Sequence, residues 1–161
     1  MKEVDRRLLC ELAKNSRRSD RELSKSVGVS QPTVSRKLKE LQKNFGVTFT
    51  ASPDLAKVGF EILAVTFGRK QEKPLETVKI QEWLAEFRDA IIFASSGTSS
   101  GVNADRMVIS VHKNYSEYTR FLDYLRTEWK GLVLVGESFI ISLKTDKVIK
   151  PLSIQDLFEG L

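Results

Sequence analysis

The spacing of apolar residues changes near residue 46, and this change limits the possible folds more than any other feature of the chain. Over residues 3–43, apolar side chains recur every three or four positions, as in helices that bury one face. After residue 46 they occur in short runs such as FEILAVTFG (60–68), which are typical of buried strands. We therefore expect a helical part followed by a part that mixes strands and helices.

Three short helices are expected in the first part, because turn and capping residues divide it. The first helix ends at Asn15, a good turn residue. Asp20 is suited to cap the second helix through its carboxylate, and Gly28 is suited to end that helix in a left-handed conformation. Ser30 can cap the third helix, and Pro32 fits in its first turn because no amide hydrogen is required there.

The second part alternates strands and helices. A short strand or wing is predicted at 46–51. The later strands are predicted at 60–68, 90–96, 106–112, 132–136 and 138–144, and the helices at 74–88 and 115–129. The resulting β-α-β-β-α-β order predicts an α+β domain of the ferredoxin-like type, an antiparallel sheet with two helices on one face. Trp83 and Trp129 fall on apolar helix faces, so we expect them in the core or at a dimer interface.

The net charge of +5 belongs entirely to the helical part. Residues 1–50 contain 12 Lys and Arg against 6 Asp and Glu, whereas residues 51–161 contain 14 against 15. A basic module that binds a polyanion, joined to a nearly neutral module, explains this distribution. The expected domains are a winged helix-turn-helix at 1–50, a linker at 51–59, and an oligomerisation or effector-type domain at 60–161.

The segment GVSQPTVSRKLKEL (28–41) has the features of a helix that enters the major groove of DNA. With Val34, Leu38 and Leu41 turned inward, small polar and cationic side chains face outward, and Gln is suited to adenine and Arg to guanine. The helix N-terminus can receive a phosphate. The candidate DNA-binding residues are Arg17, Arg18, Arg21, Ser30, Gln31, Thr33, Ser35, Arg36 and Lys37.

The whole chain resembles the Lrp/AsnC, or feast/famine, family of transcription regulators. The resemblance is specific in VDRRLLCELAKNSRRSDRELSKSVGVSQPTVSRKLKEL (4–41) and in the linker PDLAKVGF (53–60), and it continues in the element order. It implies dimers formed through the β-α-β-β-α-β domain and larger even-numbered assemblies. It also implies two recognition helices about one DNA turn apart on a pseudo-palindromic site.

Many members of the family bind an amino acid with a loop of pattern T-G-x-Y-D, and this chain departs from that pattern. In SSGTSSGVNADRMVISV (95–111), Asp105 matches the motif's aspartate, but no tyrosine precedes it. An amino-acid-like effector would be held by Gly97, Thr98, Gly101, Asn103 and Asp105. A flexible hairpin loop is the favoured interpretation, because Gly, Ser and Asn populate turns for backbone reasons alone.

Few side chains are available for catalysis or metal binding. The chain has one cysteine, Cys10, and one histidine, His112, so neither a zinc site, a cofactor nor an enzymatic activity is expected. His112 ends a predicted strand, where we expect it to be exposed or to act as a cap. No apolar run is long enough to span a bilayer, so a cytoplasmic, nucleoid-associated prokaryotic protein is expected.

Two other functions fit parts of the sequence. One is a protein that coats DNA with little sequence preference, which would also need the basic module. The other is a subunit of a siroheme decarboxylase, an enzyme with an Lrp-like fold. Such an enzyme should lack the basic excess and should place histidines near its substrate, and this chain has the excess and one histidine.

Overall fold

The computed structural model describes residues 1–73, 76–98 and 101–146. The described chain divides into two compact units, one covering Met1–Ser52 and the other beginning at Pro53. The C-terminal end of the domain predicted at 60–161 lies outside the described residues.

The first unit consists of three helices, as predicted. They are α1 (Glu3–Lys14), α2 (Asp20–Val27) and α3 (Gln31–Phe45). Each helix has apolar residues at helical spacing on one face, and these faces meet in a common core. The buried members of that core are Leu8, Leu9, Leu12, Leu23, Val27, Val34 and Leu41.

The boundaries of α2 depend on short polar residues and a glycine. Ser19, rather than Asp20, caps its N-terminus: the Glu22 N–H donates to Ser19 Oγ at 3.3 Å, and the Ser19 N–H donates to the Glu22 carboxylate at 2.7 Å. The cap predicted at Asp20 is therefore wrong by one residue, because the glutamate needed for this reciprocal pair lies three residues after Ser19. Gly28 ends α2 with φ 76°, as expected for a left-handed residue.

The short strand predicted at 46–51 does not form. Gly46 ends α3 with φ 62°, and residues 46–54 contain no strand. A strand is stable only when it pairs, and the described part of the first unit offers no second strand for it. The alternation of apolar and polar residues here therefore does not produce a wing strand.

The second unit has the predicted β-α-β-β-α-β order. Its elements are β1 (Ile62–Lys70), α4 (Thr77–Glu86), β2 (Ile91–Ser96), β3 (Arg106–His112), α5 (Tyr115–Glu128) and β4 (Val133–Ser142). The sheet order is β2-β3-β1-β4 and all neighbours are antiparallel, which confirms the ferredoxin-like fold. The two segments predicted at 132–136 and 138–144 form one strand, β4, whose pairing with β1 shifts register between Thr66 and Gly68.

The two helices pack on one face of the sheet and build an aromatic core there. Ile62 and Ala64 of β1 contribute to this core, and the rings of Trp83 and Trp129 meet edge to face with centroids 4.9 Å apart. Both tryptophans are buried within their own unit, so the prediction of a core position is confirmed.

His112 also lies in this core, which corrects the prediction of an exposed or capping residue. It pairs with Ile62 across the sheet and points to the same, helix-covered face. Only 2% of the residue is exposed. Its Nε2 lies 2.9 Å from Ser110 Oγ, and its ring contacts those of Tyr118 and Phe121.

The opposite face of the sheet carries apolar side chains that neither helix covers. In β1 these are the alternate residues Leu63, Val65 and Phe67, and the strand register brings apolar partners beside them on the neighbouring strands. The other apolar members of this open face are Phe93, Met107, Ile109, Leu134, Phe139 and Ile141, and Val111 on the same face is buried.

Candidate nucleic-acid interface

The N-terminus of α3 is exposed and has small polar side chains. Ser30 caps the helix, since its Oγ accepts the Thr33 N–H at 3.4 Å, and the hydroxyls of Ser30 and Thr33 lie 2.8 Å apart. Gln31 and Pro32 in the first turn are exposed. Unpaired backbone amides and the helix dipole make such a terminus attractive to a phosphate, and the short side chains permit close approach to DNA.

Arg36 projects from the solvent-facing side of α3. Its side chain is 62% exposed, and its Nη1 lies 2.5 Å from Glu40 Oε1, one helical turn further on. Lys39 is also exposed on this helix. The exposed face of α3 therefore offers the amide of Gln31 and the guanidinium of Arg36, the two groups that suit adenine and guanine edges.

Lys37 does not lie on the exposed face, although it was among the candidate DNA-binding residues. Its Nζ lies 3.0 Å from Asp5 Oδ1 on α1 and 2.8 Å from Glu40 Oε2, and its side chain is only 10% exposed. The position follows from helical geometry, because Lys37 lies three residues after Val34 and four before Leu41, on the core side of α3. That spacing is the signal that identifies Lys37 as an inward residue.

The Asp5–Lys37 contact joins α1 to α3 through two oppositely charged groups. Burial raises the pKa of Asp5, but the Lys37 ammonium and the Lys2 backbone N–H outweigh this effect, so the pKa lies below its usual range. The hydrogen bond to Glu40 and the nearby carboxylate of Asp5 raise the pKa of Lys37. Both groups are therefore charged at neutral pH, and each supplies the partner that a buried charge requires.

Ser35 is also committed to a contact within the module. Its hydroxyl donates a hydrogen bond to the carboxylate of Asp20, and both residues are half-buried. This bond places the first turn of α2 beside the first turns of α3. Arg21 follows Asp20 and therefore lies near the N-terminal part of α3.

The three arginines at the start of α2 differ in their surroundings. Arg18 pairs with Glu11 of α1 and donates to Ser26 Oγ on α2, and its side chain is 25% exposed. Arg17 and Arg21 are exposed, and neither side chain forms an ion pair with another described residue. Arg17 and Arg21 are therefore available to an external anion, whereas Arg18 holds the turn to both helices.

The candidate effector residues lie in the loop between β2 and β3. Four of them, Gly97, Thr98, Asn103 and Asp105, line a shallow depression of about 270 Å³ together with Arg69. Gly101 is part of the same loop and adopts φ 99°, the conformation of a turn glycine.

Asp105 is engaged in closing this hairpin. Its Oδ1 accepts the backbone N–H of Lys70 at 2.8 Å, and its backbone oxygen accepts the N–H of Gly97 at 3.0 Å. Arg106 lies 3.5 Å from the same carboxylate oxygen. These contacts favour the interpretation of the described residues of this loop, 97–98 and 101–105, as part of a structural turn.

The described residues contain neither a metal-binding cluster nor a helix that could span a membrane. No group of three or more His, Cys, Asp or Glu residues in that part of the chain is arranged to hold a metal ion. Over the same ranges, every helix is too short or too polar to cross a membrane.

The N-terminal module and the whole chain are similar to known proteins. Residues 1–44 match the family of winged helix-turn-helix DNA-binding domains. Over 143 residues the chain is 29% identical to an uncharacterized HTH-type transcriptional regulator of Pyrococcus furiosus, a match that covers 88% of this chain and 93% of that protein.

Solved structures share the fold over nearly the full length. The structure of B. subtilis LrpC superimposes with a TM-score of 0.71 at 18% identity, covering 93% of this chain and 99% of LrpC. An AsnC family transcriptional regulator from Agrobacterium tumefaciens gives a TM-score of 0.71 at 18% identity, covering 96% of this chain and 97% of that protein.

Proposed function

We propose that the protein regulates transcription by binding a specific, pseudo-palindromic DNA site as a homodimer or a larger even-numbered assembly. The proposal starts from the fold, which is that of the Lrp/AsnC regulators, as the sequence indicated. Helix α3 enters the major groove. Gln31, Thr33 and Arg36 approach the base edges, while Ser30 and the helix N-terminus contact phosphate. A protein with this role acts on the nucleoid, in the cytoplasm of a prokaryote.

The observation that carries this proposal is an exposed, polar α3 face on a basic module in which several acids are engaged by other residues of the module. Glu22 belongs to the cap of α2, Glu11 is paired with Arg18, and Asp5 is paired with Lys37. These carboxylates are thus compensated within the module, and exposed cations such as Arg17 and Arg21 provide an uncompensated positive charge for phosphates.

The open face of the sheet supports a dimer. Phe139, Leu134 and Phe93 are 65%, 56% and 47% exposed in the single chain, although all three are apolar. An apolar face of this kind is unfavourable in water and usually marks an interface. A second copy fits as the occupant, because a two-fold axis brings the same apolar face of each chain together. Such a dimer presents two α3 helices, which is the reason for expecting a pseudo-palindrome.

Selection of bound fragments from a random DNA pool tests the proposal. The expected result is enrichment of one sequence whose two half-sites are about one helical turn, roughly 10 base pairs, apart. Enrichment of no sequence, with equal affinity for all DNA at matched salt, would contradict site-specific regulation and favour a protein that coats DNA.

Control by a small effector is a separate question from DNA binding. The place for an amino-acid-like ligand is the loop between β2 and β3, but the contacts of its described residues favour a structural turn, since Asp105 already closes the hairpin. Occupancy of the promoter site, governed by oligomeric state, is therefore the mechanism we favour.

A further inference from the structure

Four charged side chains form a continuous path from the buried side of the helix-turn-helix to its exposed face. The path runs from Asp5 to Lys37 at 3.0 Å, from Lys37 to Glu40 at 2.8 Å, and from Glu40 to Arg36 at 2.5 Å. We propose that Glu40 is a positioning residue, which fixes the direction of the Arg36 side chain and thereby sharpens the base preference of α3. This inference rests on the proposed role of α3 in reading DNA.

The inner end of the path is a nearly buried ion pair. The Asp5 and Lys37 side chains are 9% and 10% exposed, and Asp5 Oδ2 also accepts the backbone N–H of Lys2 at 3.2 Å. The Lys37 ammonium therefore has a defined position between α1 and α3. Because Glu40 Oε2 accepts from that ammonium, the carboxylate of Glu40 has a defined position as well.

The outer end of the path is the guanidinium of Arg36. Glu40 uses Oε2 for Lys37 and Oε1 for Arg36, so one carboxylate joins a buried cation to an exposed one. An exposed ion pair is usually weak, because two long side chains must both lose rotational freedom. Here the glutamate is already ordered by Lys37, so only the arginine must be ordered when the pair forms.

An ordered arginine matters for reading DNA. The specific contact of arginine with guanine uses two donors in one plane, and that geometry tolerates little misalignment. A side chain that already points in one direction loses less entropy on binding than a freely rotating one. The guanidinium has five N–H donors, so its bond to Glu40 leaves others free for a base edge.

The chain contains a matched control for this arrangement. Glu3 on α1 also joins two arginines, with its Oε1 3.0 Å from Arg6 Nη2 and 3.0 Å from Arg7 Nε. None of these three side chains is buried, and their exposed fractions lie between 33% and 59%. Removing either Glu3 or Glu40 raises the charge of the module by one, but only Glu40 is attached to a buried group.

The test compares Glu40→Ala with Glu3→Ala on the selected DNA site and on sites with single base changes, all at one salt concentration. Both variants should bind random DNA equally. Arg36→Ala identifies the base position that Arg36 contacts. At that position Glu40→Ala should reduce the ratio of affinities for the preferred and the changed base by roughly fivefold or more, which is the lower limit for loss of a two-donor contact. Glu40→Gln, which keeps an acceptor for Arg36, should retain more of that discrimination.

Several outcomes would overturn the inference. These are unchanged discrimination in Glu40→Ala, an equal loss in Glu3→Ala, or a further loss when Glu40→Ala is added to Arg36→Ala. Thermal unfolding of each variant separates a positioning effect from a folding defect, and Glu40→Gln provides the same comparison if the alanine variant is unstable. If the wild-type protein shows no preference for any DNA site, the proposed function fails before the variants are compared. That result overturns both the proposed function and the role of Glu40.

Discussion

Arg18 and Glu11 form an ion pair that fastens the turn before α2 to helix α1, whereas the adjacent Arg17 is exposed and makes no such pair with a described residue. The sequence presents these two arginines as equivalent phosphate contacts. Their surroundings assign them different roles, because the guanidinium of Arg18 is already occupied by Glu11 and Ser26.

Alanine substitutions distinguish the two arginines. Arg17→Ala should weaken binding to all DNA sequences alike and reduce the slope of log K against log salt by about 1, as for one lost phosphate contact. Arg18→Ala should instead lower the free energy of unfolding by about 1 kcal/mol, since the partly buried Glu11 loses its nearer cation and keeps only Lys14, whose Nζ lies 3.5 Å from Oε1. Salt titrations of DNA binding test the prediction for Arg17→Ala, and denaturant unfolding tests the prediction for Arg18→Ala. A stability loss in Arg17→Ala and a changed salt slope in Arg18→Ala would reverse the assignment.

Arg36→Ala should weaken binding to the selected site by about 1–3 kcal/mol and should relax the preference at one base position per half-site, as expected when a two-donor base contact is lost. Competition binding with single-base variants of the site measures both effects. Lys39→Ala is the matched control, because it removes an exposed cation from the same helix and should weaken binding uniformly. If Arg36→Ala leaves the affinity for the site unchanged, the exposed face of α3 that carries Gln31 and Arg36 is not the face that contacts the bases.

Phe139→Asp should convert the dimer to a monomer, because it places a charge on the open sheet face, on the edge strand β4, where Phe139 is 65% exposed in the single chain. Val78→Asp is the control: Val78 on α4 is 60% exposed, and that helix covers the other side of the sheet. Sedimentation velocity gives the mass of each variant. A dimer that survives Phe139→Asp and dissociates with Val78→Asp would move the interface to the helical layer.

The second unit should lose stability as the pH falls below about 6.5, the ordinary pKa of histidine. Burial holds the pKa of His112 below that value, against the opposing influence of Glu117 and Asp89. The folded state therefore keeps His112 neutral while the unfolded chain binds a proton, so the stabilisation is complete above pH 6.5 and decreases as the pH falls toward the folded-state pKa.

Denaturant unfolding between pH 5 and 8, with the second unit followed by its two tryptophans, measures this dependence. His112→Gln keeps a polar partner for Ser110 and removes the titrating group, so its stability should change less over the same range. The acidic groups with lowered pKa, such as Asp5 and Glu11, belong to the first unit, and they should affect stability at lower pH. Equal pH dependence in wild type and His112→Gln would exclude His112 as the source.

The sequence by itself determined the features that depend on neighbouring residues. Gly28 ends α2, Ser30 caps α3, and the run 60–68 contains most of β1, because backbone conformation and the burial of one face are local properties. The cap of α2 was misplaced by one residue between Ser19 and Asp20, although both are suitable caps.

Tertiary structure decided what each polar side chain does. Lys37 is an inner ion-pair partner because Asp5, 32 positions earlier, reaches it from α1, and His112 is a core residue because β1 pairs with β3 in one register. The strand expected at 46–51 is absent from the described chain because no partner strand reaches it. In each case the outcome depends on a contact with a residue distant in the sequence, and local spacing carries no information about which distant group will be there.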